Sequence, residues 1–297
     1  MHRGAVVVLG ADGALLTAEG DVDRPVLPRS ANKPVQATAL LAAGWAPRSP
    51  AELALGAGSH SGEDGHRALA EAVLAGAGLT PGHLGCPPAL PLHERTRAGW
   101  LVAGRAPERS AMNCSGKHAA MLAACVAAGW PVEGYLDPQH PLQQAIEARL
   151  AAAAGEPVRA VVVDGCGAPQ HALSLRGLAR SVLGLVQAQP GTPERAVADA
   201  MRAEPWFVAG TGREDTDLMR AVPGLLVKGG ADGVHVAALP GAGAVALKID
   251  DGGDRGRLPV LAAGLRRLGV PAEALSPWAR LPVRGGEDVV GEVRPAF

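Results

Sequence analysis

Two segments of this 297-residue chain set a lysine three residues from a potential nucleophile or ligand. In RPVLPRSANKPVQATALLAAG, Ser30 and Lys33 stand where a helix is expected to begin. Residues three apart share a helix face, so this spacing makes them neighbours. A serine hydroxyl needs a base beside it to attack. A neutral lysine is such a base, but moving it from its reference pKa of about 10.4 to near 7 takes roughly 4–5 kcal/mol. Burial and a second cation supply that; arginine cannot serve, because it stays protonated. A competing structural reading makes Ser30 a helix cap and Lys33 a solvated side chain. Lysine usage favours chemistry: of 28 Lys+Arg residues, only Lys33, Lys117, Lys228 and Lys248 are lysines.

The second segment, MNCSGKHAAML, puts Cys114, Lys117 and His118 at i, i+3 and i+4 of a helix start, a spacing at which Cys and His can ligate zinc. Its Asn113 is one of only two asparagines; the other, Asn32, lies in the SANK segment. DGCGAPQ adds Asp164 and Cys166 on a loop after an apolar run. In GAGSHSGED, Ser59, His60 and Ser61 sit in a Gly-flanked loop that can bring a hydroxyl close to a ligand. Lys228 leaves an apolar run directly before Gly229 and Gly230, and Lys248 precedes Asp250 and Asp251. Each has a structural alternative: buried cysteines, a capped helix, an edge-strand lysine, an ion pair.

These residues need elements to position them. GAVVVL and LLTAEG flank an Asp12-Gly13 turn and read as a β-hairpin. From Lys33 to about Leu150 the pattern is helical, with several helices stopping at Gly. VRAVVVDGCG (158–167) reads as a buried strand, and TPERAVADAMRAEP as a helix capped by Thr192. Apolar runs at 225–228, 233–239 and 243–249 read as strands, LPVLAAGLRRLG as a helix, and the tail DVVGEVR as a short strand. The expectation is an α+β fold in two lobes. A sheet from both termini (about 1–29 and 156–297) carries an inserted helical lobe (about 30–155).

With 47% hydrophobic residues the chain can bury a sizeable core. A net charge of −1 and no basic patch argue against nucleic acid. No run reaches the roughly 20 apolar residues of a membrane span, and MHRGAVVVLGADGALL is too short for a secretory signal. A cytoplasmic protein is expected, its four cysteines unpaired.

Taken in order, DVDRPVLPRSANKPVQA, ELALGAGSHSGE, NCSGKHAAML, GYLDPQHPLQ, DGCGAP, AGTGREDTDLM, KGGADGV, ALKIDDG and VGEVRP resemble the asparaginase II family of Rhizobium-type asparaginases over nearly the whole chain. The resemblance implies a serine β-lactamase/glutaminase-like fold. It implies hydrolysis of L-asparagine to L-aspartate and ammonia by a homodimer, through two Ser–Lys pairs: Ser30 with Lys33, and Ser59 with Lys228. It also implies one zinc on Cys114, Lys117 and Cys166, and Asp164 beside the substrate. Arg29, Asp164 and His60 are the candidate substrate contacts. KGG replaces the Lys-Thr-Gly of β-lactamase-like folds, which removes one hydroxyl from that edge. The alternatives are a glutaminase or another serine amidase of the same fold, and a non-catalytic zinc- or ligand-binding homologue.

Overall fold

Apolar runs broken by Gly turns build a five-stranded antiparallel sheet in the computed structural model, which describes residues 1–297. β1 (Gly4–Gly10) and β2 (Leu15–Glu19) form the expected hairpin, its turn made by Gly13 at a φ of 79°. β3 (Pro25–Val26) and a 3₁₀ turn at Arg29–Asn32 lead into α1 (Lys33–Ala42). α2 (Pro50–Gly56), α3 (Asp64–Gly76), α4 (Glu94–Val102), α5 (Ser115–Ala128) and α6 (Pro141–Ala154) complete the stretch read as a helical lobe. Gly129 and Gly155 end α5 and α6 in the left-handed conformation that favours glycine.

The chain returns through β4 (Val161–Val163), β5 (Pro169–His171) and β6 (Leu173–Ser174) to α7 (Leu175–Gln187), α8 (Pro193–Ala203), α9 (Pro205–Val208) and α10 (Glu214–Ala221). Thr192 caps α8 as read from sequence, its hydroxyl accepting from the Arg195 N–H at 3.3 Å. β7 (Leu226–Gly229), β8 (Val234–Leu239) and β9 (Gly243–Ile249) then finish the sheet in the order β2-β1-β9-β8-β7. The β1–β9 ladder, from Gly4 opposite Ile249 to Gly10 opposite Gly243, joins the N-terminal hairpin to the later strands. α11 (Asp254–Arg267), α12 (Ala272–Ala279), β10 (Leu281–Gly285) and β11 (Asp288–Val293) follow.

α7 covers the sheet because its Leu175, Leu178, Ala179, Val182 and Val186 recur at helical spacing and are all buried. α11 covers it as well. A continuous hydrophobic core runs from β1 (Val7, Val8) and β9 (Leu247) into α1 (Leu40) and α5 (Leu122). The fold is α+β, and no helix is long and apolar enough to cross a membrane.

Two expectations are corrected. The 158–167 run is no buried strand: only 161–163 form β4, a surface strand paired with β5, and Val163 is 78% exposed. The tail strand β11 pairs only with β10, in a hairpin outside the main sheet. The C-terminal contribution to the sheet is therefore residues 226–249. In both places an apolar run is consistent with more than one environment, and tertiary packing chose the surface.

Candidate active site

Lys33, at the first position of α1, is 1% exposed and points its amine into the protein. Its Nζ lies 2.7 Å from the Gly58 carbonyl, 2.8 Å from Ser59 Oγ and 3.1 Å from Cys114 Sγ. The expected pairing is therefore re-sorted: the hydroxyl held by Lys33 is that of Ser59, not Ser30. α1 begins only at Lys33, and it is the Ser30 carbonyl that accepts the Lys33 backbone N–H. The Ser30 hydroxyl makes no hydrogen bond within the protein and faces a cleft that Ser59 also lines. Arg29, directly before it, has a φ of 53°, a left-handed conformation costly for a non-glycine residue.

Ser59 is fixed by its backbone. Its N–H donates to the Val208 carbonyl at 2.7 Å, and the His60 N–H donates to the Asn113 carbonyl at 3.1 Å. A Cβ on Gly58 would come within 2.7 Å of the Val208 carbonyl oxygen, so only glycine lets the loop pass. His60 does not reach substrate space. It is fully buried, its Nδ1 accepts from the Gly62 N–H at 3.1 Å, and its Nε2 pairs with Ser115 Oγ at 2.9 Å. Burial, with the charges of His66, Lys33 and Arg213, holds it well below the ordinary imidazole range. It is a neutral strut that ties the serine loop to α5.

Lys228, 1% exposed at the end of β7, does not bond Ser59 either. Its amine donates to the Gly229 carbonyl at 2.6 Å and to Asp215 Oδ2 at 3.3 Å. Asp215, in the first turn of α10, also accepts from the Gly229 N–H at 2.8 Å and pairs with His235 Nε2 at 2.8 Å. Burial pulls Lys228 down to about 8, against the attraction of Asp215 and with help from the Lys33 and Arg213 charges. The same cluster accounts for KGG. A Cβ on Gly229 would meet Arg257 Nη1 at 2.9 Å and Asp215 Oδ1 at 3.3 Å, so guanidinium and carboxylate fill the space of a threonine side chain.

Cys114 stands at the N-cap of α5, Lys117 one turn on, and Cys166 in the β4–β5 loop. Lys117 Nζ is 3.2 Å from Cys166 Sγ. A hydrogen bond from Cys166, reinforced by the Lys33 and Lys117 charges, holds the Cys114 thiol well below its usual range despite burial. Cys166 is pushed up in return, with burial adding to the effect. No three of His, Cys, Asp and Glu converge on a point where they alone would hold a metal ion. A two-sulfur site here therefore needs the Lys117 amine as its third donor. His118 Nδ1 meets the Tyr135 hydroxyl at 2.6 Å, while its buried Nε2 has no partner. Two thiols and one amine are a donor set that suits zinc.

Arg29 Nε bonds Asp164 Oδ1 at 2.7 Å, and its Nη1 pairs with Asp232. Arg29 and Asp164 neutralise each other beside the cysteines, and neither lines the cleft. The cleft itself, of about 930 Å³, is walled by Ser30, Ser59, Ser61, Asn113, Arg213, Glu214, Gly229 and Gly230 among others, and only three of its 18 lining residues are apolar. Such a wall suits a small polar substrate. Sequence reading did not assign Asn113, Asp215 or Arg213 to the site, although Asn113 carried a signal in the scarcity of asparagine. Lys248 bonds the Asp232 and Ile249 carbonyls, away from the cleft, and no ion pair with Asp250 or Asp251 forms.

A family model for L-asparaginase II matches residues 1–295. The chain belongs to the L-asparaginase II family. It is thus an asparaginase-type hydrolase acting on an amide. No curated protein matches the chain significantly. Among solved structures it is similar, at 14% identity and a TM-score of 0.48, to a Bacteroides dorei protein described provisionally as a β-lactamase, over 90% of this chain and 93% of that one. It is also similar to Mglu in its native form (14%, TM-score 0.47, 90% and 62% of the two chains). A third similar structure is a β-lactamase from Mycobacterium bovis (14%, 0.43, 92% and 95%). Likenesses this distant say nothing about how an asparaginase II site works.

Proposed function

We propose that the protein hydrolyses L-asparagine to L-aspartate and ammonia through an acyl-enzyme on a cleft serine, with Lys33 as the base. The observation that carries this is the buried Lys33 amine held 2.8 Å from a serine hydroxyl that lines a polar cleft. A neutral amine donates to the Gly58 carbonyl and accepts the Ser59 O–H. After proton transfer the ammonium donates to Gly58, to the new ester oxygen and to Cys114, so the site satisfies both protonation states. Ser59 Oγ attacks the side-chain amide carbon, Lys33 takes its proton, and ammonia leaves with a proton returned by a lysine. Water then resolves the ester.

The oxyanion needs a donor with free hydrogens. The N–H groups of Ser59, His60, Gly229 and Gly230 all bond protein acceptors. The Asn113 side-chain amide, on the cleft wall, donates to nothing in the protein and takes this role. Lys228, held by Asp215, adds a second amine close enough to feel the Lys33 charge. Cys114, Lys117 and Cys166 would hold zinc. When bound, such an ion supplies a positive charge behind Lys33 and fixes α5 against the β4–β5 loop.

The strained Arg29 and the unbonded Ser30 hydroxyl favour a second assignment, in which Ser30 attacks and Ser59 passes the proton to Lys33. Release of ammonia from L-asparagine beside L-glutamine, with hydrolysis of nitrocefin in parallel, tests the activity. Asparagine should be the best substrate, and no turnover of it would refute the reading. Peptide mapping of the enzyme trapped with a slowly deacylating substrate identifies the nucleophile as Ser59 or Ser30.

A further inference from the structure

Arg213 stands on the cleft wall, just before α10, with a third of its side chain exposed. Its guanidinium makes no side-chain hydrogen bond. Its only ionic neighbour, Glu214, lies 3.6 Å away and is bonded through its other oxygen to Arg257. The other cleft arginines differ: Arg257 is buried and committed to Glu214 and Asp254, while Arg95 is exposed on α4. Arg213 lines the same cleft as Ser30, Ser59 and Asn113.

The loop that carries Arg213 is anchored. The Thr211 N–H and hydroxyl both bond Glu63, at 2.9 and 2.8 Å. Gly210, at a φ of 116°, packs so closely that a Cβ would come within 2.6 Å of Ser61 Oγ. The arginine therefore rides on the loop that presents Ser59. A part-buried guanidinium with unspent donors, on a firm loop beside a nucleophile, is built to take a planar anion in two hydrogen bonds.

We propose that Arg213 is the specificity residue that binds the substrate's α-carboxylate, restricting the enzyme to short amides that carry a carboxylate. This rests on the amidohydrolase reading above and replaces Arg29, which Asp164 and Asp232 already neutralise. Asparagine is compared with L-asparaginamide, which keeps the scissile amide and lacks the charge. In the wild type, removing the carboxylate should lower kcat/KM about ten- to hundredfold, the range of a charge-assisted hydrogen bond. In Arg213→Gln the two substrates should become equal, with Arg213→Lys between. Equal losses on both substrates, or no discrimination by the wild type, would overturn the assignment. Calorimetric binding of L-aspartate, independent of turnover, should weaken by a similar factor in Arg213→Gln. If the wild type turns over no asparagine yet shows this loss, the hydrolase reading fails and the carboxylate anchor stands. Unchanged aspartate affinity in Arg213→Gln overturns the anchor whatever the activity.

Discussion

An amine acts as a base only through a free lone pair, and in the mechanism above that lone pair of Lys33 faces Ser59 Oγ, 2.8 Å away. Arginine at this position keeps a cation in the site but cannot shed a proton at working pH. Lys33→Arg should therefore lower kcat by about two to four orders of magnitude, the scale of general-base catalysis. Circular dichroism of the variant should remain native, and substantial turnover by a folded variant would remove Lys33 from the mechanism. Lys228 makes a prediction about stability. Its folded pKa of about 8 lies below its ordinary 10.5, with burial the main cause. Between these values the unfolded chain binds more protons, so this residue makes stability rise with pH from about 8 to 10.5. Below pH 8 its contribution is a constant penalty, on the order of 3–4 kcal/mol for a shift of this size. Urea midpoints of wild type and Lys228→Met should thus diverge as pH is raised from 8 to 10, the wild type gaining relative to the variant. Parallel curves would show that Lys228 is not perturbed.

At the scale of elements, the site is made where β7 ends against the 3₁₀ turn that carries Ser30. Gly230 makes that approach possible: a Cβ there would lie 2.5 Å from the Pro28 carbonyl oxygen and 3.3 Å from the Ala31 nitrogen. These are backbone atoms that cannot rotate aside. Gly230→Ala should push the turn off the strand, costing about 1–3 kcal/mol and lowering kcat/KM by more than the stability loss explains. Denaturant titration beside kinetics checks it, and an unperturbed, fully active Ala variant would refute the packing argument. Elements like these were largely legible in the sequence. Helical periodicity located α1, α5 and α8, and the Asp12-Gly13 turn located the β1–β2 hairpin. Lysine scarcity picked out three amines, Lys33, Lys117 and Lys228, that are each 2% exposed or less. Partnership was not legible. Ser30 and Lys33 are close in sequence, but the hydroxyl that meets the amine arrives from residue 59, through backbone bonds to Val208 and Asn113. Arg213 and Asp215 lie in AGTGREDTDLM, a stretch that contributed to the family resemblance without a role for either residue. Only the fold shows that one faces the cleft and the other is buried under Lys228.

At the scale of the whole molecule, the sulfur cluster ties distant parts of the chain together. Cys114 and Lys117 open α5 in the helical region, while Cys166 sits 49 residues beyond Lys117 in the loop between the exposed β4 and the buried β5. Without an ion this contact rests on thiol and ammonium protons, with the buried Lys117 amine 3.2 Å from Cys166 Sγ. Burial works against the Lys117 charge, but the Cys166 and Cys114 sulfurs outweigh it and raise its pKa. Zinc would replace these protons, so binding must release them, and affinity should fall as pH is lowered. Ligand binding to the native state alone stabilises it by about 4 kcal/mol at a thousand times Kd. Protein purified without chelator should therefore contain close to one zinc per chain by elemental analysis. Its Tm should drop by several degrees when the metal is removed and recover when zinc is returned. Cys166→Ser should lose both the metal and the recovery, and Lys117→Met should weaken binding through loss of the amine donor. Protein that carries no zinc, takes none up and melts identically with and without it would show that the cluster stands on the Lys117–Cys166 hydrogen bond without metal.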